Sequence, residues 1–118
     1  CAVMSVPNNT RNPPLARRLL TLNANTHSTL RSPNRAGIPK NCALWIAPCS
    51  AVHTVGLKNS VDIAFLNRRG RVVTIYRNFP PECIAESPRS AVSAVELPPD
   101  ALRESDTDIG DTIELDPN

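Results

Sequence analysis

Apolar and polar positions alternate with a period of two in several short stretches, and prolines and glycines stand between them. The clearest stretch is Val61 to Leu66, where Val61, Ile63 and Phe65 share one face of an extended strand and Asp62, Ala64 and Leu66 the other. Asn67-Arg68-Arg69-Gly70 follows, and then 71–77, rich in β-branched residues. Two such runs joined by a short loop ending in glycine predict a β-hairpin. Ala43 to Ala47 is an apolar run closed by Pro48, the pattern of a buried strand. Strands are also predicted over 51–55, 91–97 and 112–115, the second ended by Pro98-Pro99. At 18–23 a strand is expected, although Leu15, Leu19 and Leu22 also fit a helix face. Asp100 to Ser105 reads as one or two helical turns with Asp100 at the N-cap. Residues 24–41 and 82–90 read as loop, and 1–14, dominated by Asn, Pro and Ser, as a tail.

Six or seven short strands and one short helix predict a mainly β fold, a single compact sandwich- or barrel-like domain over 18–116 with a disordered tail over 1–17 before it. The predicted core is Leu44, Ile46, Val61, Ile63, Phe65, Val73, Ile75, Val95, Leu97 and Ile113. Composition agrees. Twelve prolines among 118 residues exclude a helix bundle, since proline breaks helix interiors. No run of 18 apolar residues marks a membrane-spanning helix.

Net charge is only +2, but its distribution is lopsided. Residues 1–77 carry eleven Arg or Lys and one acid, Asp62, whereas 78–118 carry two Arg and ten acids. Basic and acidic strands neutralising one another in the fold account for this without a nucleic-acid partner. Four aromatic residues, Trp45, Phe65, Tyr76 and Phe79, are too few for a base-stacking platform, so no nucleic acid is expected.

The four cysteines, Cys1, Cys42, Cys49 and Cys83, follow no zinc-ribbon or Cys-x-x-Cys spacing. All four can be thiols, or two can pair in an oxidising compartment. Cys1 followed by a polar stretch resembles the start of a lipoprotein, and equally a trimmed chain with Met4 as its start. Cytoplasmic placement is favoured, with the envelope or periplasm following only if Cys1 is a processed lipoprotein cysteine.

His53, Asp62 and Cys49 are the candidate site residues, and they make no complete catalytic set. His53 beside Asp62 or Cys49 could carry a proton or hold a metal. The structural alternative has His53 and Asp62 hydrogen-bonding backbone or each other to fix the sheet edge. Cys49 and His53 lie four residues apart, about 13 Å in an extended strand, too far for a direct dyad unless the chain turns. Ser50 lacks nucleophile-elbow glycines. The acids Asp106, Asp108, Asp111, Glu114 and Asp116 lack the spacing of a calcium loop and read as a solvated edge. Neither a cofactor nor a metal is expected. A carboxylate at position 62, within a strand that must face a core, needs a partner. A turn at 67–70 would set Leu66 opposite Arg71 and Asp62 opposite Ile75. Arg77 then lies diagonal to Asp62 as its predicted partner, with a bulge at Gly70 shifting this register by one.

Several pieces in order resemble a bacterial and archaeal family, domain of unknown function 192. They are Pro48-Cys49-Ser50-Ala51-Val52-His53-Thr54, Val61 to Asn67, Gly70-Arg71-Val72-Val73, Asn78-Phe79-Pro80-Pro81, the stretch Ser90 to Pro98, and Ile109-Gly110-Asp111. The resemblance runs over about 42–115. Leu57 and Ser60 replace the family's usual methionine and proline, and 24–41 lacks its Arg-x-x-Gly-Leu-Met helix. The resemblance implies a mainly β, sandwich-like domain and assigns no chemistry. The reading that follows is a non-enzymatic binding or accessory module, a monomer or weak dimer. The alternatives are an enzyme or ligand site centred on His53 and Asp62, and an envelope-tethered interaction module.

Overall fold

The structure, a computed structural model, describes residues 3–6, 16–22, 42–47 and 49–113. Among them are eight strands: β1 (Val3–Val6), β2 (Ala16–Leu22), β3 (Cys42–Ile46), β4 (Ala51–His53), β5 (Val61–Leu66), β6 (Val72–Phe79), β7 (Ile84–Glu86) and β8 (Ser93–Leu97). One helical turn, α1 (Ala101–Glu104), follows.

Six strands form one sheet in the order β1-β2-β3-β8-β5-β6, and β4 pairs with β7 in a separate two-stranded ribbon. The sheet is open and does not close into a barrel. It is mixed: β2 and β3 run parallel, and every other pair is antiparallel. A parallel step needs a crossover of about a dozen residues or more. The chain between Leu22 and Cys42 is long enough for one.

β5 is central, paired with β8 on one side and β6 on the other, and all six of its residues are buried. Its alternation therefore separates two cores rather than a core from solvent. Val61, Ile63 and Phe65 pack with Leu44, Ile46 and Ala94 beneath the ribbon, which contributes Val52 and Ala85. Ala64 and Leu66 pack on the other face with Val95, Leu97, Leu102 of α1 and Ile113. The molecule is thus layered, ribbon on sheet on helix. Eight of the ten predicted core residues are buried, and Val73 and Ile75 are half-buried because β6 ends the sheet order.

The structure departs from the sequence reading at several elements. β1 falls inside the segment expected to be a tail, with Val3 and Val6 as its β-branched residues and β2 as its partner. β7 falls inside 82–90, expected to be loop. Three residues are too few to show a period, and the strand exists because β4 pairs with it. β4 ends at His53 rather than at residue 55. The backbone turns at Thr54, whose Oγ1 donates to the Pro80 carbonyl (2.7 Å) and accepts from the Cys83 N–H (3.0 Å). Of the last predicted strand, Thr112 bridges Arg71, and 114–115 lie outside the described residues, as do 24–41. Among the described residues no helix is long and apolar enough to cross a membrane.

Candidate functional site

The β5–β6 register decides the role of Asp62. Ile63 faces Tyr76 and Leu66 faces Val72, with irregularities between Val61 and Ile63 and between Phe65 and Leu66. Leu66 does not face Arg71, nor Asp62 Ile75, because the turn with Gly70 at positive φ sets Asn67 against Arg71, and the register slips again opposite Val73 and opposite Asp62. Arg77 is not the partner of Asp62. Its guanidinium donates to the Thr107 carbonyl (3.3 Å). The Asp62 carboxylate instead accepts three backbone N–H groups, from Asn78 (2.8 Å), Asp100 (3.3 Å) and Leu102 (2.9 Å).

These three bonds explain local features that otherwise look strained. Asn78 (φ 50°) and Asp100 (φ 72°) are non-glycine residues in the left-handed region, a backbone that costs energy unless the surroundings fix it. Asp100 occupies the N-cap position of α1 but makes no side-chain capping bond. The cap comes from the sheet, since Asp62 takes the Leu102 N–H that Asp100 was expected to serve. The Asn78 amide then donates to the Asp100 carboxylate (3.0 Å). Asp62 is wholly buried and joins β5, the β6 bulge and α1.

The three candidate residues do not converge. Asp62 faces α1, on the opposite side of the six-stranded sheet from the ribbon that carries His53. His53 is exposed and pairs with Ile84 across the ribbon. Cys49 is half-buried against the ribbon-side core, and its Sγ donates to the Ala51 carbonyl (3.3 Å). Neither Cys49 nor Cys83 is in a disulfide. His53 pairs with Ile84 and the Ser87 N–H bonds the Ser50 carbonyl, so Cys83 lies beyond one end of this pairing and Cys49 beyond the other, with three residues of ribbon, roughly 10 Å, between the ends. That exceeds disulfide reach. Cys1 lies outside the described residues, and so does the Cys42 side chain. The acidic edge is not uniformly solvated. Asp106 and Asp108 are exposed, but Asp111 is buried, its carboxylate accepting the Asp108 N–H (2.9 Å) within the turn.

A concave site does exist, at the other end of β5, about 13 Å along the strand from Asp62. It is a cavity of about 380 Å³ between the β5–β6 turn, the end of β3, the start of β8 and Thr112-Ile113. Its apolar wall is Trp45, Leu66, Val92 and Ile113, and its polar groups include Arg68, Arg69, Ser93 and Thr112. Its walls are tied together. The Asn67 side-chain oxygen accepts the N–H groups of Arg69 (2.9 Å) and Arg71 (3.0 Å), closing the turn on itself. The Gly70 carbonyl accepts the Ile113 N–H (2.8 Å). Gly70 has φ 77°, and a Cβ there would stand 2.7 Å from the Ile113 carbonyl oxygen, so the close approach requires glycine.

Sequence reading identified this turn as a hairpin connection but not as a site wall. Nothing in the spacing links Arg68 and Arg69 to Trp45, 23 positions before Arg68. The adjacent arginines between an Asn and a Gly were the available signal. Glu96, wholly buried on the ribbon side of β8, also escaped notice, because its alternation with Val95 and Leu97 suggested one solvent face and the sheet has none there.

Fold and site together define a small domain with an open mixed sheet, covered by a ribbon on one face and a helical turn on the other, and with a cavity at the hairpin end. Residues 33–115 match the model of the domain of unknown function 192 family, described as Uncharacterized ACR, and the chain belongs to that family. No curated protein matches. A crystal structure from Sinorhizobium meliloti 1021, of a protein named a "putative transcription regulator", shares the fold with a TM-score of 0.76 at 14% identity, over 93% of this chain and 89% of that one. A protein of unknown function from Novosphingobium aromaticivorans DSM 12444 does so with a TM-score of 0.73 at 14% identity, over 96% of this chain and 84% of that one. At such identity the likeness is one of fold.

Proposed function

We propose that the protein is a non-enzymatic small-molecule-binding or accessory module whose ligand occupies the cavity at the β5–β6 turn. The observation that supports this most is the division of roles along β5. The carboxylate at one end is committed to three backbone donors, and the open cavity at the other end joins an apolar wall to a few polar groups. A volume of about 380 Å³ falls in the range of small-molecule sites. An enzyme built on His53 and Asp62 would need the two on one face, and they lie on opposite sides of the sheet.

Trp45 lines the cavity and is the only tryptophan, so its emission reads occupancy directly. A chemically diverse library of anions, cations and neutral molecules is screened by Trp45 emission and by thermal unfolding. Binding predicts compounds that move both together. A library in which no compound of any charge moves Trp45 emission overturns the proposal.

A further inference from the structure

We infer that the cavity selects organic anions, molecules with a carboxylate or phosphate head on an apolar body. The inference rests on the reading of this cavity as a binding site and specifies its ligand.

Arg68 and Arg69 are adjacent in the turn, both exposed, and both line the cavity. Among the described residues neither guanidinium has a carboxylate partner, and no carboxylate lines the cavity. Arg71, the next arginine of the hairpin, is exposed but does not line the cavity, and Arg77 and Arg103 stand at the Asp62 end with partners of their own: Arg77 donates to the Thr107 carbonyl, and Arg103 lies 3.8 Å from the Asp100 carboxylate. The Asn67 bonds hold the backbone of the turn, so the two positive groups cannot be separated by unfolding the loop without breaking both. Two like charges on neighbouring residues repel, and an anion between them relieves that repulsion. Guanidinium presents paired N–H donors that match the two oxygens of a carboxylate or phosphate. Ser93 adds a hydroxyl that can donate to the same head.

The rest of the cavity has the opposite character. Of its apolar wall, Val92 stands 39% exposed to water and Trp45 is half-buried, over a floor of buried Leu66 and Ile113. Covering that wall favours an apolar body over a bare ion. Charge at the rim and apolar surface within specify an amphipathic anion, and neither inorganic phosphate nor a neutral hydrocarbon meets both.

The test compares 4-phenylbutyrate, its neutral amide 4-phenylbutyramide, and inorganic phosphate, each titrated into the whole protein while Trp45 emission is followed with excitation at a wavelength the probes do not absorb. The acid should bind about tenfold or more tighter than the amide, the ratio given by one charge-assisted contact. Phosphate should bind weaker than the acid, and rising salt should erode the acid's advantage. The double variant Arg68→Gln, Arg69→Gln, at two exposed positions whose side chains make no bond that holds the turn, should fold normally by circular dichroism and bind acid and amide alike. Equal affinity of acid and amide in the parent protein overturns the anion inference and leaves the binding module standing. An acid preference that survives the double variant overturns it as well. Absence of binding by the acid overturns it too, and the diverse library then decides the fate of the binding module separately.

Discussion

Replacing Asp62 by asparagine isolates its role as a backbone anchor. The side chain keeps its size and one acceptor oxygen, which can still serve the Asn78 and Asp100 N–H groups at 2.8 and 3.3 Å. The second oxygen becomes an amide donor facing the Leu102 N–H, now 2.9 Å from Oδ2. One buried donor is left unmatched, at about 1–3 kcal/mol. The other two bonds fall from charge-assisted to neutral, at roughly 1 kcal/mol each. Relief from burying a carboxylate offsets part of this. The net cost is about 2–3 kcal/mol, a large fraction of the 5–15 kcal/mol typical of a domain. It corresponds to a fall in Tm of about 8–15 °C. Urea denaturation followed by Trp45 emission measures it, with an unchanged m-value showing that both proteins unfold as one unit. A cost below about 0.5 kcal/mol, the scatter of ordinary surface changes, would refute the anchoring argument. Unchanged stability with lost ligand binding would make Asp62 a site residue instead.

Two further outcomes follow from particular contacts. Gly70→Ala should cost about 2–3 kcal/mol in urea denaturation, because positive φ and a Cβ 2.7 Å from the Ile113 oxygen act together, whereas Gly110→Ala, with φ 95° and nothing within 4 Å, should cost only about 1 kcal/mol. His53→Ala, at an exposed position on the ribbon, should leave stability within about 0.5 kcal/mol and leave the Trp45 response to 4-phenylbutyrate unchanged; a lost response would place His53 in the site.

Period and punctuation in the sequence determined the strands that carry their own signal. Val61–Leu66 is predicted and observed over the same residues, since alternating apolar and β-branched side chains suit only an extended backbone there. The need of Asp62 for a partner was legible too, because a carboxylate inside a buried strand is costly wherever that strand goes. The identity of its partners was not. They come from β6, the residue before α1 and α1 itself, up to 40 positions away, and two β-bulges set the register that brings them together. β7 likewise exists through its pairing with β4. That β5 is buried on both faces depends on which elements cover the sheet, and local alternation does not encode that. The cavity is the extreme case. Trp45 from β3, Arg68 and Arg69 from a turn, Val92 before β8 and Ile113 share no period and no spacing, and only the packed sheet brings them to one end of the molecule.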